Sequence, residues 1–341
     1  MKLGIIGLPL AGKTTIFETL TRQLNGNSQK RENRIGVVVV PNSRIDILSK
    51  IYNPKKTTYA QVEYFLPGAG TSQDAEAKEK SVWTHVRTCD ALIFVVRNFN
   101  DHVLESPTAV KDFQQLDQEL ILADLVVVEK RLERLEKDKK THRLLDKEEY
   151  DLLLQCQSLL EQEKPIRSSE TLATAPKLRG YTFLSAKPLL VLFNNNDDDE
   201  SVPDLPEHAF ARVLSVRGKL EHEIVEMDDD EHFMHEFNIS ETARSRVIRE
   251  SYDLLGLASF FTVGEDEVRA WTIQKNTPAM DAAEVIHSDI KKGFIRAEVV
   301  GYDDLVTAGN YVEARKQGKT RLEGKTYSVQ DSDIIDFRFN V

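Results

Sequence analysis

A doubly wound α/β fold, with a long α-helical hairpin inserted in it and a smaller α+β module behind it, is predicted by three features of the sequence. The runs Ala91–Val96 (ALIFVV) and Leu189–Phe193 (LLVLF) are almost wholly apolar, as central parallel strands covered on both faces must be. Lys2–Ile6 reads as a short buried strand that leads through a glycine-bounded turn into a helix, and strands alternating with helices define a doubly wound sheet. The stretch Phe113–Glu163 breaks that alternation, being charged, leucine-rich and free of Gly and Pro.

Each element follows from local pattern. After the turn Gly7–Gly12, Lys13–Leu24 places Ile16, Phe17 and Leu20 on one helical face. Asn25–Asn33 is polar and reads as a loop; Ile35–Val40 and Tyr59–Leu66, rich in β-branched and aromatic residues, read as strands around a helical Ser43–Tyr52. Arg212–Val216 extends the same sheet. In the interrupting stretch Leu116, Leu120, Ile121, Leu125, Val128, Leu132 and Leu135 recur at three- and four-residue steps, and Leu152, Leu153, Leu159 and Leu160 follow. That spacing predicts two amphipathic helices in an antiparallel hairpin, either a structural arm with solvated charged faces or a docking arm for a larger partner. Beyond the acidic Asp228–Glu231 and the helical Glu241–Leu255, strands are predicted at Phe260–Val263, Ala270–Ile273, Phe294–Val300 and Asp333–Phe339, around a helix near Ala279–Ile286.

Composition narrows the class. With 341 residues, 40% of them hydrophobic and 30% charged, the chain belongs with multidomain globular proteins. No apolar run approaches the roughly 20 residues that span a bilayer, so no membrane partner is expected. Met1–Ile6 meets glycine too early for a signal peptide, and a cytoplasmic location is expected. Cys89 and Cys156 stand far apart without a C-x-x-C partner, which indicates neither a disulfide framework nor a zinc site. The net charge of -11 argues against a globally basic nucleic-acid coat.

The segment Gly7-Leu8-Pro9-Leu10-Ala11-Gly12-Lys13-Thr14 fits G-x-x-x-x-G-K-[ST] without exception. Its glycines let the backbone turn so that successive N–H groups of Pro9–Thr15 (Leu10, Ala11, Gly12, Lys13, Thr14 and Thr15, proline having none) ring a phosphate group. Lys13 brings positive charge to the β- and γ-phosphates, the Thr14 hydroxyl is a Mg²⁺ ligand, and the following helix points its positive end at the same anion. A nucleoside polyphosphate with Mg²⁺ is the ligand this chemistry calls for.

The opening GLPLAGKTTIFETLT resembles the YchF group of Obg-related P-loop NTPases, also called Obg-like ATPases. FFTVGEDEVRAWTI, DIKKGFIRAEVV and DIIDFRFNV look like that group's C-terminal TGS domain, and ALIFVVRNF, ELILADLVVVEKRLERL and SRVIRESYDLLGL match its pattern in order. The resemblance covers nearly the whole chain. It implies a P-loop G domain at 1–112 and 181–256, a helical hairpin at 113–180, and a β-grasp TGS-like domain at 257–341. It also implies a nucleotide-dependent switch, using the purine nucleotide GTP or ATP, that associates with ribosomes.

The chain departs from the group's pattern where hydrolysis is organised. Leu10 and Ala11 replace Asn and Val within the loop, a change the backbone donors tolerate. The D-x-x-G element falls on Tyr64-Phe65-Leu66-Pro67-Gly68-Ala69-Gly70, which contains no Asp. Thr71–Lys80 replaces a glycine-rich switch, and Lys30–Asn33 stands where a switch threonine is expected, with Ser28 the nearest hydroxyl. Binding needs the loop and Lys13; hydrolysis needs a well-held Mg²⁺ and a positioned water. Slow hydrolysis is therefore the expectation. Gln73, Asp74 and His85 read as ordinary surface residues or, as the alternative, as groups that orient a water, and no catalytic residue is assigned.

For the base, the resemblance assigns Asn194-Asn195-Asn196-Asp197, after the Leu189 strand, to the N-[KT]-x-D position. A carboxylate at Asp197 favours guanine, which offers it two donors. Asn195 lacks the aliphatic stem of the usual lysine. On residues alone 194–200 is equally an acidic, Asn-rich loop; Val216, Arg217 and Gly218 are the candidates for the second base-side loop, whereas Ser185-Ala186-Lys187 imitates that loop at the wrong place in the fold. In the C-terminal module Lys291, Lys292 and Arg296 form one basic cluster and Arg315, Lys316, Lys319, Arg321 and Lys325 another. On residues alone these are a solvated face or an RNA contact; the resemblance favours ribosome or RNA association. Two functions remain: a slow NTPase regulator, and a non-catalytic nucleotide-binding scaffold that works through its arm and C-terminal domain.

Overall fold

The computed structural model describes residues 1–24, 32–68, 82–101, 105–141, 146–206, 210–227 and 241–340. The chain divides into two compact units, Met1–Gly36 with Glu63–Val247 and Val37–Val62 with Ile248–Val341.

In chain order the first strands and helices are β1 (Lys2–Ile6), α1 (Lys13–Thr21), β2 (Arg34–Val39), α2 (Ser43–Tyr52), β3 (Lys56–Thr58), β4 (Gln61–Leu66) and β5 (Ala91–Asn98). They continue with α3 (Ala109–Lys140), α4 (Lys147–Glu161), α5 (Glu170–Thr174), β6 (Leu189–Asn195), β7 (Arg212–Val216), α6 (Gly218–Met227) and α7 (Ala243–Leu254). The sheet that carries the first unit runs β2-β4-β1-β5-β6-β7, and β1 pairs in parallel with both β4 and β5, as do β5 with β6 and β6 with β7. All seven residues of β6 and the first six of β5 are buried, the signature of strands covered on both faces. One side of the core joins Phe94, Val96, Val191 and Phe193 to Phe113, Leu116 and Leu120 from the first turns of α3.

Helix α3 continues well beyond the sheet. Its 32 residues, ~48 Å of helix, turn from packing on β5 to packing on α4, where Val128, Leu132 and Leu135 meet Leu153, Cys156 and Leu160. The root of this hairpin is polar and buried. Asp124, fully buried on α3, accepts the backbone N–H of Ser185 at 2.7 Å and a guanidinium N–H of Arg87 at 3.1 Å. Burial pushes its carboxyl above the usual carboxylate range, and these donors hold the ionised form against that push. Arg167 donates to Asp117 at 2.6 Å, and the Ser185 carbonyl accepts the Arg167 N–H at 2.9 Å. The Ser185-Ala186-Lys187 tripeptide is thus part of the hairpin's anchorage.

The second unit adds β8 (Leu257–Thr262), β9 (Glu267–Gln274), α8 (Ala279–Ile286), α9 (Ser288–Lys292), β10 (Phe294–Val300), α10 (Tyr302–Ala308), α11 (Tyr311–Lys316), β11 (Arg321–Glu323) and β12 (Ile334–Phe339). Its sheet runs β11-β10-β12-β8-β9-β3, with Phe260, Ile273, Val299 and Phe337 packed against Ala279 and Ala283 of α8. The early segment 37–62 clusters here although its place in the sequence puts it in the first domain. The physical reason is local: β3 pairs in parallel with β9 through Lys56–Thr58, Arg44 bonds Asp331 at 2.7 Å, and the Tyr52 hydroxyl accepts the Tyr311 N–H at 2.8 Å.

Candidate nucleotide-binding site

The loop Gly7–Thr14 lies at the carboxyl end of β1, the edge where open parallel sheets hold ligands. Its shape is dictated residue by residue. A Cβ on Gly7 would come within 2.3 Å of the Val95 carbonyl oxygen on β5, so only glycine lets the loop leave the sheet here. Gly12 takes φ 95°, a left-handed conformation that glycine adopts without a steric penalty, and caps α1. Leu10 is also left-handed, at φ 64°, with its side chain two-thirds exposed at the crest, whereas the Ala11 methyl is buried. No acidic residue occupies the first turn of α1, so the positive end of its dipole is not offset.

Lys13 folds back over the loop and donates to the carbonyls of Gly7 at 2.8 Å and Leu8 at 2.7 Å. Burial pushes its ammonium down to about 8, a cost that an anionic ligand beside it would relieve. Thr14 and Thr15, half-buried, follow in the first turn. Behind the loop α1 is held through Glu18 by Arg34 at 2.9 Å and His222 at 3.3 Å, and through Phe17, whose ring lies 4.7 Å beneath the same Arg34 guanidinium. Sequence reading gave no sign of this cluster, because its members lie on α1, β2 and α6.

Asn194 joins two loops. It is nearly buried, donates from Nδ2 to the Ala11 carbonyl at 3.1 Å, and accepts the Gly218 N–H on Oδ1 at 3.0 Å. Gly12 and Gly218 make room for it, since a Cβ at either would stand 2.2 Å from its Nδ2 or 2.5 Å from its Oδ1. Val216 pairs with Asn194 across β6 and β7 and is buried; Arg217 is half-buried and pairs with Glu200 at 3.2 Å. Asp197 is exposed just past β6. Asn195 is placed differently from Asp197: it is buried, accepts from Asn98 at 3.0 Å and donates to the Ser201 carbonyl at 2.7 Å, so it shapes the loop from inside. Asn98 has no local sequence signal; its role follows only from the pairing of β5 with β6.

On the other side, β4 ends in Leu66 and continues to Pro67 and Gly68 without a carboxylate. Gly68 donates its N–H to the side-chain oxygen of Asn33 at 2.9 Å. No cluster of three or more His, Cys, Asp or Glu suited to a metal occurs among the described residues. Ser28, Gln73 and Asp74, with the Thr71–Lys80 segment, lie outside the described residues; His85 is exposed near Phe65.

The C-terminal cations are mostly matched by carboxylates. Lys291 pairs with Asp281 at 2.9 Å and Glu284 at 2.5 Å, Lys292 with Asp289 at 3.1 Å, and Lys319 with Asp304 at 3.1 Å. Arg321 lies 3.5 Å from Glu323, Lys316 2.7 Å from Glu313, and Arg315 shares the buried Glu298 with Arg338. Arg296 and Lys325 are exposed and carry no carboxylate partner among the described residues. From Leu257 to Val341 the sequence holds 14 Asp and Glu against 11 Lys and Arg, so this unit presents no overall positive field.

A G-x-x-x-x-G-K-[ST] phosphate loop at the carboxyl edge of a parallel sheet, here tied to the loop after β7 by Asn194, defines the P-loop class of α/β proteins. The family model YchF-GTPase_C, described as a protein of unknown function (DUF933), matches residues 257–340. The chain is 40% identical over 366 residues to the ribosome-binding ATPase YchF of Bacillus subtilis, covering 99% of each protein. It is 38% identical over 361 residues to the protein of the same name from Pasteurella multocida, covering 100% of this chain and 99% of that one. The structure of the Schizosaccharomyces pombe YchF GTPase superposes with a TM-score of 0.83 at 27% identity, over 99% of this chain and 97% of that one. The chain belongs to the YchF family. No helix among the described residues is long and apolar enough to cross a membrane.

Proposed function

We propose that this chain binds a purine nucleoside triphosphate in the Gly7–Thr14 loop, acts as a regulator in association with ribosomes in the cytoplasm, and hydrolyses its nucleotide slowly. The observation that carries this reading is the lock made by Asn194, which fixes the phosphate loop at Ala11 and the base-side loop at Gly218 with one side chain. Such preorganisation is what phosphate binding requires, because the donors are in place before the ligand arrives. Ribosome association is supported by the names of the relatives. Arg296 and Lys325 are the cations best placed for an RNA phosphate, since Lys291, Lys292, Lys319 and Arg321 already face carboxylates.

The donor set fits Mg²⁺ in part. Mg²⁺ keeps several waters and is held with substrate phosphates by few protein ligands, and Thr14 at the start of α1 supplies one hydroxyl. When bound, the ion would neutralise charge on the β- and γ-phosphoryl oxygens. The chain's own residues do the rest: the loop amides and Lys13 grip the phosphates, and Asp197, exposed at the end of β6, supports a preference for guanine. Slow hydrolysis is supported by the run Leu66-Pro67-Gly68, where no carboxylate steadies the ion or the attacking water.

That same run favours a second reading, a scaffold that holds nucleotide without cleaving it. Phosphate release measured with and without ribosomes, beside ribosome co-sedimentation, separates the two. Slow release in either condition with nucleotide-dependent co-sedimentation supports the regulator; tight binding with no release in either condition supports the scaffold, and no co-sedimentation removes the ribosome from the account.

A further inference from the structure

Two donors near the phosphate loop are engaged internally, the Lys13 ammonium and the Gly68 N–H. Lys13 marks the β/γ end of a bound nucleotide, and its ammonium sits against the carbonyls of Gly7 and Leu8, the first limb of the loop. Strand β4 runs parallel to β1 with Lys2 opposite Glu63, Leu3 opposite Tyr64 and Gly4 opposite Phe65. Continuing that offset past the ends of both strands brings Gly68 level with Gly7. The Gly68 N–H, two residues past the end of β4, therefore lies at the same carboxyl edge of the sheet as the phosphate loop that follows β1. It donates to Asn33 Oδ1 at 2.9 Å.

Asn33 is held in place by its neighbour. Arg34 is anchored to α1, the helix that begins in the phosphate loop, by Glu18 at 2.9 Å, the Gln23 carbonyl at 2.9 Å and the Phe17 ring. The carboxamide is thus presented to Gly68 by a segment whose position relative to the loop is fixed.

We propose that Asn33 is an internal surrogate for the terminal phosphate: its side-chain oxygen occupies the Gly68 amide that a γ-phosphoryl oxygen would otherwise take, and this competition sets the preference between di- and triphosphate. A diphosphate leaves the Asn33–Gly68 contact untouched. A triphosphate must displace it or forgo that donor. Because one amide hydrogen bond exchanged for another nets little, the chain discriminates weakly between the two nucleotides. The inference rests on nucleotide binding at Gly7–Thr14.

The test is calorimetric titration of GDP, ADP and their β,γ-imido triphosphate counterparts into the full chain, so that cleavage does not enter. Asn33→Ala frees the amide and raises the ratio of triphosphate to diphosphate affinity by about two- to tenfold. Asn33→Asp places a carboxylate where the γ-phosphoryl would lie and lowers that ratio by at least about fivefold. Diphosphate affinity and melting temperature stay near the parent values in both. A ratio unchanged in both variants, or an equal fall in both affinities in Asn33→Ala, overturns the proposal while leaving nucleotide binding intact. Failure of the parent chain to bind any of the four nucleotides sinks the nucleotide reading itself, and this inference with it.

Discussion

Replacing Gly12 by alanine tests whether Asn194 and the phosphate loop form one unit. The Cβ would lie 2.2 Å from Asn194 Nδ2, and φ there is 95°. An L side chain in the left-handed region costs about 1–2 kcal/mol. Relieving the clash also expels Asn194, which leaves the Ala11 carbonyl and the Gly218 N–H without their partner at about 1–2 kcal/mol each. Gly12→Ala should therefore destabilise the first unit by about 3–6 kcal/mol, and Asn194→Ala, losing the same two bonds, by about 2–4 kcal/mol. In the double variant the obstruction is gone and Gly12→Ala adds only its backbone cost. The double variant should then fall short of the sum of the singles by about 2–4 kcal/mol. Urea unfolding in a Trp271→Phe background isolates the effect, because Trp83 packs on the core of the first unit and becomes the one tryptophan reporting. Additivity of the singles within about 0.5 kcal/mol would refute the shared lock.

Other consequences follow from single contacts. Since burial holds the free-state Lys13 ammonium at about 8, ATP affinity should be level up to about pH 8. Above that the free chain must take up a proton to bind, so the dissociation constant should rise about tenfold per pH unit; a flat profile to pH 9.5 contradicts the placement of Lys13. In the hairpin root, Asp124→Ala strips the acceptor from Ser185 N–H and Arg87 and should cost about 3 kcal/mol in urea unfolding. Asp124→Asn keeps an acceptor for only one of the two donors and should cost less than Asp124→Ala; equal losses would mean the charge, not the geometry, matters. Asp197→Glu should lower the preference for GTP over ATP in competitive binding, and an unchanged preference removes the guanine argument.

What the sequence made legible and what it hid divide along physical lines. The phosphate loop was readable because its chemistry is contiguous: eight residues contain the turn, the lysine and the hydroxyl. Strands β5 and β6 were readable because burial on both faces leaves little choice but apolar residues. Asn194 was readable in kind, but its bonds to Ala11 and Gly218 depend on strand pairing across the fold. Asn195 sat in the same motif, and only the β5–β6 pairing shows that it is tied inward to Asn98. The clustering of segment 37–62 with the second unit was not legible, because β3, an exposed Lys56 and half-buried Thr57 and Thr58, carries no hydrophobic pattern and is placed by its pairing with β9. The basic clusters near Lys291 and Lys319 looked free because their carboxylate partners, Asp281, Glu284 and Asp304, come from other helices.

The claim on which everything else depends is that Gly7–Thr14 grips a nucleotide through Lys13. Titration calorimetry of GTP and ATP, with Mg²⁺, into the parent chain and into Lys13→Ala measures it directly. Saturable binding to the parent is expected, weakened at least about tenfold when the charge-assisted contacts of Lys13 are removed. Absence of binding, or equal affinity in the two proteins, would contradict it.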